Sequence, residues 1–307
     1  MDQITAHILM VRPAQFSYNA ETAKNNAFQT KDALASSDSV RQKAIEEFDA
    51  LVELLRSRAI NIFVWQDTPT PSKPDAVFPN NWVSFHADGT IVFYPMFASS
   101  RRIERSEDLI DALTENFSVR KRLNLDQYEQ SNKFLEGTGS MILDRKNEIC
   151  YACLSPRTNI QLLDEFCKLL HFKRMSFEGI DKNDTPIYHT NVMMALGETF
   201  VVICLAAVRF SENRVELLKL FEKTGKEVID ISFEQMNHFA GNMLQVKNNF
   251  GETFLVMSSQ AFNSLNAQQI AHLNRHTTIL HSNISTIEKY GGGSVRCMIA
   301  EVFLPAK

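Results

Sequence analysis

The chain has 307 residues, 44% of them hydrophobic and 22% charged, which is the composition of an ordinary globular protein. A formal net charge of -4 provides no basic surface for nucleic acid, and no apolar run approaches the ~20 residues needed to span a bilayer. The N-terminus lacks the basic segment and long apolar core of a signal peptide. Five cysteines, an odd number without the spacing of a disulfide framework, favour reduced thiols and a cytoplasmic location.

The N-terminal segment predicts a strand, a helix and a second strand in that order. Residues 5–11 form an apolar run typical of a strand. Residues 41–58 carry apolar side chains at helical spacing, which predicts an amphipathic helix. Residues 60–65 predict the next strand. A proline-rich turn then leads to two apolar runs that flank Asp88-Gly89, the strongest short signal for a hairpin.

This hairpin opens a unit of hairpin, helix and strand that recurs along the chain. Its helix is predicted near 106–116 and its strand near 117–120. Thr158 is the predicted N-cap of the helix in the following unit. The later hairpins are predicted to turn at 146–147, 197–198 and 249–251, with helices at 158–171, 212–224 and 265–276 and strands at 172–177, 227–231 and 277–281.

A period of roughly 50 residues indicates an array of supersecondary units. Four copies are complete. A fifth can be assembled from the C-terminal segment that contains Cys297 and the N-terminal strand, helix and strand. The sequence therefore predicts an α/β fold, a closed five-fold pseudosymmetric propeller of ββαβ repeats around a central channel. We expect residues 1–307 to form a single domain whose fifth module is completed by both termini.

The segment before the C-terminus combines a flexible loop with a thiol. Gly291, Gly292 and Gly293 free the backbone to bend where a side chain would clash. The apolar run that follows predicts a strand beginning at Cys297. This placement allows a ligand to approach Cys297, although a free cysteine is also among the most buried residue types in protein cores.

Unusual polar residues fall at one place in each repeat, just before or within the first strand of the hairpin. Equivalent positions in a ring of equivalent units face the same end of the channel, so we expect these side chains to converge. Nucleophilic catalysis needs a thiolate, an acid or base within reach, and groups that orient the substrate. Each residue also has a structural interpretation, since Glu136 is typical of a helix cap and His189 of a core histidine. The residues are Asn80, Asn81, Glu136, His189, Asn191, Asn242, Arg296 and Cys297.

Five segments carry a resemblance to a known superfamily. They are PDAVFPNNWVSF, LEGTGSMIL, LSPRTN, YHTNVMMAL and GGGSVRCM, and they cover most of residues 60–300. In this order they resemble the guanidine-modifying superfamily, which has the pentein fold. It includes arginine deiminases, dimethylarginine dimethylaminohydrolases, agmatine deiminases and amidinotransferases. The PDAVFPNN segment is most similar to the branch described as citrulline-utilisation hydrolases.

The resemblance implies roles for individual residues. Cys297 matches the nucleophile, His189 the general acid and base, and Glu136 the carboxylate that pairs with the planar head group of the substrate. Asp75 resembles the aspartate that binds the substrate amino group. Arginines of the superfamily grip the substrate carboxylate, for which a bidentate fork is suited. The matching arginines here are Arg157 and either Arg101 or Arg102.

Two positions depart from the superfamily pattern. Asn81, with Asn80 beside it, replaces the aspartate that binds a guanidinium group. Asn191 replaces the aspartate two residues after the catalytic histidine. A guanidinium is cationic and offers only donors, whereas an amide both donates and accepts. The departures therefore favour a neutral ureido substrate such as citrulline over arginine.

The resemblance implies a cysteine-dependent hydrolase that cleaves a C–N bond in the ureido or guanidino group of an arginine-related amino acid, through a covalent S-linked intermediate. An amidinotransferase or a deiminase of arginine or methylarginine is an alternative, because the second nucleophile is not readable from the sequence. A non-catalytic ribosome-binding protein of the same fold is an alternative of another class. The expected partner is a small amino acid, with no cofactor, metal, nucleic acid or membrane. The oligomeric state stays open, a homodimer included.

Other residues with catalytic spacing are better explained by structure. Cys150 and Cys153 have redox spacing but lie in a predicted strand, and core packing accounts for them. His272 and His276 are spaced as on a zinc-binding helix, yet the segment lacks the glutamate of that motif. We interpret them as a solvated helix face.

Overall fold

A computed structural model describes residues 1–24, 26, 28–30 and 36–307. Within these ranges the chain forms short strands separated by helices. The strands are β1 (His7–Arg12), β2 (Asn61–Gln66), β3 (Val83–Phe85), β4 (Thr90–Phe93), β5 (Lys121–Asn124), β6 (Met141–Asp144), β7 (Ile149–Leu154), β8 (Lys173–Glu178), β9 (Met194–Leu196), β10 (Phe200–Ile203), β11 (Glu227–Asp230), β12 (Leu244–Lys247), β13 (Thr253–Ser258), β14 (Thr278–Ser282) and β15 (Ala300–Glu301).

The helices are mostly short. None in the described ranges is both long and apolar enough to cross a membrane. The α-helices are α1 (Ser37–Arg56), α2 (Glu107–Thr114), α3 (Gly137–Ser140), α4 (Ile160–Leu169), α5 (Thr190–Met193), α6 (Ser211–Lys223), α7 (Phe233–Asn237), α8 (Ser259–Ser264), α9 (Ala267–His276) and α10 (Ser285–Gly291), and 3-10 turns lie at Thr22–Lys24, Pro79–Asn81, Ser99–Glu104, Leu125–Ser131 and Leu205–Ala207.

The strands of the described residues form five three-stranded sheets of one pattern. In each, two strands are antiparallel, and a third strand lies parallel to one strand of the pair. Four sheets follow chain order: β3–β4–β5, β6–β7–β8, β9–β10–β11 and β12–β13–β14. The remaining sheet joins the two ends of the chain, because β15 is antiparallel to β1 and β1 is parallel to β2. At least one helix connects the parallel strands of every sheet, as parallel pairing requires.

The predicted α/β class and the ββαβ units are therefore confirmed. The hairpin expected at Asp88-Gly89 forms between β3 and β4. Gly89 adopts a positive φ of 85° at its turn, a conformation that favours glycine. The helix predicted at 41–58 is α1, which begins four residues earlier because Ser36 caps it by accepting from the Ser39 amide.

Two predicted element boundaries are wrong. The strand expected at 117–120 is β5, which begins at Lys121, and Phe117 instead makes an isolated bridge to Ala306. Helix α4 is capped by Asn159 rather than by Thr158. The Asn159 side chain accepts hydrogen bonds from the next helical amides, whereas Thr158 takes part in isolated bridges.

The strand expected to begin at Cys297 is also wrong. β15 contains only Ala300 and Glu301. The carbonyls of Ser294 and Val295 accept hydrogen bonds from the amides of Cys297 and Met298, and these bonds turn the chain just before the strand. Cys297 therefore lies in a turn.

Helix α1 and the segment that carries Cys297 share one hydrophobic cluster. Its buried face includes Phe48, Leu51 and Leu55. These side chains share a hydrophobic cluster with Val295, Cys297, Met298 and Ile299, and with apolar residues of β1. Burial of one large aliphatic or aromatic side chain contributes about 1.5–3 kcal/mol, so the packing of α1 anchors the Cys297 turn.

Candidate active site

Short turns precede the first strand of each sheet, and these turns carry the polar residues that the sequence singled out. Asn81 ends the 3-10 turn before β3. Glu136 and His189 are the residues that precede α3 and α5. Asn242 lies just before β12, and Cys297 just before β15. The five residues occupy equivalent places in equivalent units, and hydrogen bonds join several of them.

A cavity of about 20 Å³ lies among these turns. This volume is far below the ~300–1,000 Å³ of a typical ligand pocket, so binding of an amino acid requires the surrounding side chains to move. The residues that line the cavity are Thr22, Asn26, Asp75, Phe78, Asn81, Arg101, Arg157, Tyr188, His189, Gly291, Gly292, Gly293 and Cys297. Of the residues predicted from sequence, Glu136, Asn80, Asn191 and Arg102 do not line it.

The sulfur of Cys297 receives two amide donors. Nδ2 of Asn191 and Nδ2 of Asn242 each lie 3.3 Å from Sγ. Asn242 is held in place because its Nδ2 also donates to the Asn191 carbonyl at 2.9 Å and its Oδ1 accepts from the Arg296 amide at 3.1 Å. Two N–H donors stabilise negative charge on the sulfur, which is what a nucleophilic thiol requires.

The sequence placed Asn242 among the converging polar residues but gave it no role in catalysis or binding. The signal was present, because Gly241-Asn242 occupies the same place in its repeat as His189 and Glu136 do in theirs. Gly241 also has a local reason to be glycine. A Cβ at this position would lie 2.3 Å from the carbonyl oxygen of Val192, which would push Asn242 away from Asn191.

His189 and Glu136 form a buried pair. Nε2 of His189 lies 2.8 Å from Oε2 of Glu136. Burial lowers the pKa of His189 below its ordinary 6.5, an effect that the Glu136 carboxylate offsets in part. Because a carboxylate only accepts, Nε2 carries the proton of the neutral ring and Nδ1 is left as an acceptor. The pair therefore holds an unprotonated ring nitrogen, Nδ1, beside Gly139.

Glu136 is engaged at both oxygens. Oε1 accepts from the Phe97 amide at 2.9 Å, and Oε2 is 3.4 Å from Nη1 of Arg157 as well as being bonded to His189. Burial alone would raise the pKa of the Glu136 carboxyl, but the charge of Arg157 and the hydrogen bond from His189 outweigh it, so the pKa is lowered. The carboxylate is thus anionic and orients the imidazole in this arrangement.

The orientation of the Asn81 amide is fixed by Arg101. Nη1 of Arg101 donates to Oδ1 of Asn81 at 2.8 Å. Nδ2 of Asn81 is buried and makes no hydrogen bond with the described residues. A Cβ on Gly139 would lie 2.5 Å from this Nδ2 and 2.8 Å from Nδ1 of His189. The free donor of Asn81 and the acceptor nitrogen of His189 therefore lie beside the same glycine.

Arg101 and Arg102, which the sequence did not separate, are placed differently. Arg101 lines the cavity, and two of its nitrogens bind Glu104 at 2.9 and 2.8 Å. Arg102 lies outside, where its Nε donates to the Met96 carbonyl at 3.1 Å. Glu104 already pairs with the Arg101 guanidinium through Nε and Nη2. Only the remaining N–H donors of Arg101 could contact a bound molecule.

Arg157 and Asp75 stand on the side of the cavity near Thr22. Nη2 of Arg157 donates to the Thr22 carbonyl at 3.2 Å, and its guanidinium lies 4.8 Å over the Tyr188 ring. Oδ2 of Asp75 accepts from Asn19 at 2.8 Å, whereas its Oδ1 is buried with no hydrogen bond from the described residues. Burial raises the pKa of Asp75, although the nearby Arg101 opposes this.

Asn80, which precedes the lining residue Asn81, does not line the cavity, and its Nδ2 donates to the Thr138 hydroxyl at 3.3 Å. Among the residues that the structure describes, no group of three or more His, Cys, Asp and Glu side chains is placed to hold a metal ion. His272 and His276 instead contact Glu227 at 2.7 and 2.9 Å.

Comparison with known proteins gives one family model and several solved structures. The model described as N,N dimethylarginine dimethylhydrolase, eukaryotic, matches residues 12–304. No curated protein sequence matches the chain. The product-bound N-terminal domain of ArgZ, an arginine dihydrolase of the ornithine-ammonia cycle in Cyanobacteria, has a TM-score of 0.73 at 18% identity, with 99% of this chain and 99% of that chain covered.

Two further structures share the fold. Unliganded AgrE has a TM-score of 0.74 at 18% identity, and the match covers 98% of this chain but 40% of AgrE. A dimethylarginine dimethylaminohydrolase in an adduct with S-methyl-L-thiocitrulline has a TM-score of 0.64 at 17% identity, with 97% of this chain and 99% of that chain covered. Since the family model matches almost the entire chain, the protein belongs to the N,N dimethylarginine dimethylhydrolase family of the guanidine-modifying pentein superfamily.

Proposed function

We propose that the protein is a hydrolase that cleaves a C–N bond in the guanidino or ureido group of an arginine-related amino acid, with Cys297 as the nucleophile. The observation that carries the proposal is the meeting of Cys297 and His189 at one cavity. There two amides donate to the sulfur, and Glu136 orients the imidazole. A non-catalytic role would not explain why a thiol, an imidazole and a carboxylate are buried together at this cavity.

The geometry supports a two-stage reaction. Neutral His189 accepts the proton of the Cys297 thiol as the sulfur attacks the central carbon of the head group. The protonated imidazole then gives this proton to the departing nitrogen, which leaves an S-linked intermediate. In the second stage His189 takes a proton from water and the resulting hydroxide attacks the same carbon. The C–S bond then breaks, and His189 returns the proton to the sulfur, which regenerates the thiol. An amine in place of water would make the reaction an amidino transfer.

The solved relatives support covalent chemistry at this fold. One structure of the ArgZ N-terminal domain is covalently bonded to a reaction intermediate. The dimethylarginine dimethylaminohydrolase structure is likewise an adduct, with S-methyl-L-thiocitrulline. These statements concern those proteins, and they are consistent with a thiol-dependent reaction here.

Within this proposal we favour citrulline as the substrate. The free Nδ2 donor of Asn81 suits the carbonyl oxygen of a ureido group. A guanidinium offers only donors at this place. Arginine or a methylated arginine is the second candidate, since the family description names dimethylarginine and ArgZ is an arginine dihydrolase.

The test is a comparison of kcat/KM for citrulline and for arginine. We expect citrulline to be preferred by at least about 10-fold, which corresponds to ~1.4 kcal/mol of discrimination. Asn81→Asp should shift the preference toward arginine, because one carboxylate oxygen can stay with Arg101 while the other faces the head group. Asn249→Asp, an exposed control, should leave the preference unchanged. A preference for arginine in the unmodified protein would make the second candidate the function.

The proposed chemistry requires no metal, because a thiol and an imidazole supply the nucleophile and the proton transfers. Dialysis against a strong chelator should therefore leave kcat unchanged. The measurement is the rate of product formation before and after dialysis, with each of several divalent metals added back. Loss of activity that one metal restores specifically would point to metal-assisted hydrolysis instead.

The proposal extends to the architecture. We propose that the five sheets close into one propeller around a channel and that residues 1–307 form a single catalytic domain. The pairing of β15 with β1 supports this, because it completes a fifth unit from both ends of the chain. A cytoplasmic location, favoured by five cysteines that are all free, belongs to the same proposal.

A further inference from the structure

A buried carboxyl that takes no part in the proposed chemistry lies next to the glycine loop. Glu288, on α10, is 2% exposed. Its Oε1 accepts a hydrogen bond from the Ser294 hydroxyl at 2.6 Å. Its Oε2 is buried without a hydrogen bond of ordinary geometry, and the Ser258 hydroxyl faces the carboxyl. A buried carboxyl costs free energy unless it is fully paired, so its presence here calls for an explanation.

Glu288 holds the chain segment that leads to Cys297 at two points. Its backbone carbonyl accepts from the Gly292 amide at 2.9 Å, and its side chain binds Ser294. The Ser294 carbonyl in turn accepts from the Cys297 amide at 2.9 Å. A continuous chain of hydrogen bonds therefore runs from the Glu288 carboxyl through Ser294 to the backbone of the nucleophile.

The segment between Glu288 and Ser294 contains a glycine in the left-handed conformation, and hydrogen bonds hold it there. Gly292 has a φ of 63°, in the left-handed region that glycine adopts readily. Its carbonyl is held by the Tyr188 hydroxyl at 2.9 Å and by Nδ2 of Asn26 at 3.2 Å. Tyr188 and Asn26 hold Gly292, and Glu288 holds Ser294 on the other side of the loop.

We propose that Glu288 is a positioning residue for Cys297, acting through the Ser294 hydroxyl. The proposal rests on the proposed role of Cys297 as the nucleophile. A hydrogen bond to a carboxylate is about twice as strong as one between neutral groups. Anionic Glu288 therefore fixes Ser294 and the turn at Cys297 firmly, and neutral Glu288 holds them more weakly. When Glu288 is neutral, the Cys297 sulfur is held less precisely against the Nδ2 donors of Asn191 and Asn242.

The charge of Glu288 is set by the groups around it. Burial raises the pKa of Glu288 to about 7, while the hydroxyls of Ser258 and Ser294 lower it. Among charged groups, Glu47 on α1 raises it and His238, which follows α7, lowers it. The carboxylate form, and with it the firm state of the loop, is present above about pH 7 and is lost as the pH falls below it.

The test is the rate of alkylation of Cys297 by iodoacetamide across neutral pH, followed by peptide mass spectrometry. This readout needs no knowledge of the substrate. We expect the profile of the unmodified protein to show an inflection near pH 7 in addition to the rise that thiol ionisation causes. Glu288→Gln, which keeps the shape but does not ionise, should lack this inflection. Ser294→Ala, which keeps the carboxyl but cuts the link, should lack it too.

A second readout is turnover. Both variants should lower kcat about 10-fold with KM nearly unchanged, and the double variant should be no worse than either single one, because they break one link. Ser57→Ala, which removes a matched serine hydroxyl at the end of α1, should alter neither readout. If Glu288→Gln does not fold, Ser294→Ala alone decides.

The outcomes separate the two proposals. If Cys297 is alkylated ahead of the other cysteines but both variants keep the inflection and full kcat, the role of Glu288 is overturned while the proposed function stands. If Cys297 is not the most reactive thiol, the proposed function and the role of Glu288 are both overturned.

Discussion

Cys297→Ala should abolish turnover, lowering kcat by at least about 10³-fold, while the protein stays folded. The thiol supplies the covalent step, for which alanine has no substitute. The substitution removes one buried sulfur and leaves the Nδ2 donors of Asn191 and Asn242 without that partner. We therefore expect a loss of only about 1–3 kcal/mol in the free energy of unfolding. The measurements are steady-state kinetics and chemical unfolding.

The matched control is Cys204→Ala, which removes another buried thiol that does not line the cavity. It should lose some stability and keep its kcat. Alkylation gives a second check. Burial raises the pKa of the Cys153 thiol to about 12 and that of Cys204 to about 11, so these thiols are protonated at pH 8 and react slowly. Cys150 and Cys167 are buried beside each other, and neither lines the cavity, although their hydrogen bond lowers the pKa of Cys167. Iodoacetamide should therefore label Cys297 first. Full activity of Cys297→Ala would contradict the assignment.

His189→Ala should lower kcat by about 10²- to 10⁴-fold, the usual range for loss of a general acid and base. The reaction needs the neutral imidazole as a base. Since burial places the pKa of His189 below its ordinary 6.5, this form is present above that lowered pKa and is lost as the pH falls through it. In the unmodified protein, kcat should accordingly fall at acid pH with a midpoint below pH 6.5.

The variant Glu288→Gln helps to assign that fall in kcat. This variant should keep the fall in kcat below pH 6.5 that protonation of His189 causes. It should lose only the inflection near pH 7.

Glu136→Gln should weaken the orientation of the imidazole without removing it, so its kcat should lie between those of the unmodified protein and His189→Ala. Near-normal kcat in His189→Ala would rule out the proposed proton transfers.

The sequence predicted the repeating unit because its signals are local. Apolar runs, turn residues such as Asp88-Gly89 and helical spacing all act over a few residues. The register of the repeat then placed Glu136, His189 and Cys297 at equivalent positions. The resemblance to the superfamily, which the family model confirms, implied their roles.

The individual hydrogen bonds among these residues could not be predicted, because they join distant parts of the chain. Asn242 donates to a sulfur 55 positions away, and Asn191 to the same sulfur across 106 positions. The engagement of both Glu136 oxygens depends in part on the Phe97 amide and on Arg157. The pairing of Arg101 with Glu104, three residues later, is a local contact that the sequence allows at this spacing but does not establish.

The Cys297 strand shows the opposite error, in which a local signal was overruled. The apolar run after Cys297 is long enough for a strand, but backbone hydrogen bonds turn it until Ala300. Val295, Met298 and Ile299 are buried in the same hydrophobic cluster as the apolar face of α1. Burial in the core explains the apolar composition equally well, and the sequence alone does not distinguish the two.

The most direct test of the proposed function is to trap the intermediate on Cys297. The unmodified protein and His189→Ala would be mixed with citrulline or arginine, quenched in acid and digested for peptide mass spectrometry. We expect the adduct to be present on the Cys297 peptide of the unmodified protein during turnover. In His189→Ala both its formation and its breakdown should be slower, because His189 acts in both stages. Turnover by the unmodified protein with no adduct on Cys297 in either sample, or with the adduct on another residue, would contradict the proposed mechanism.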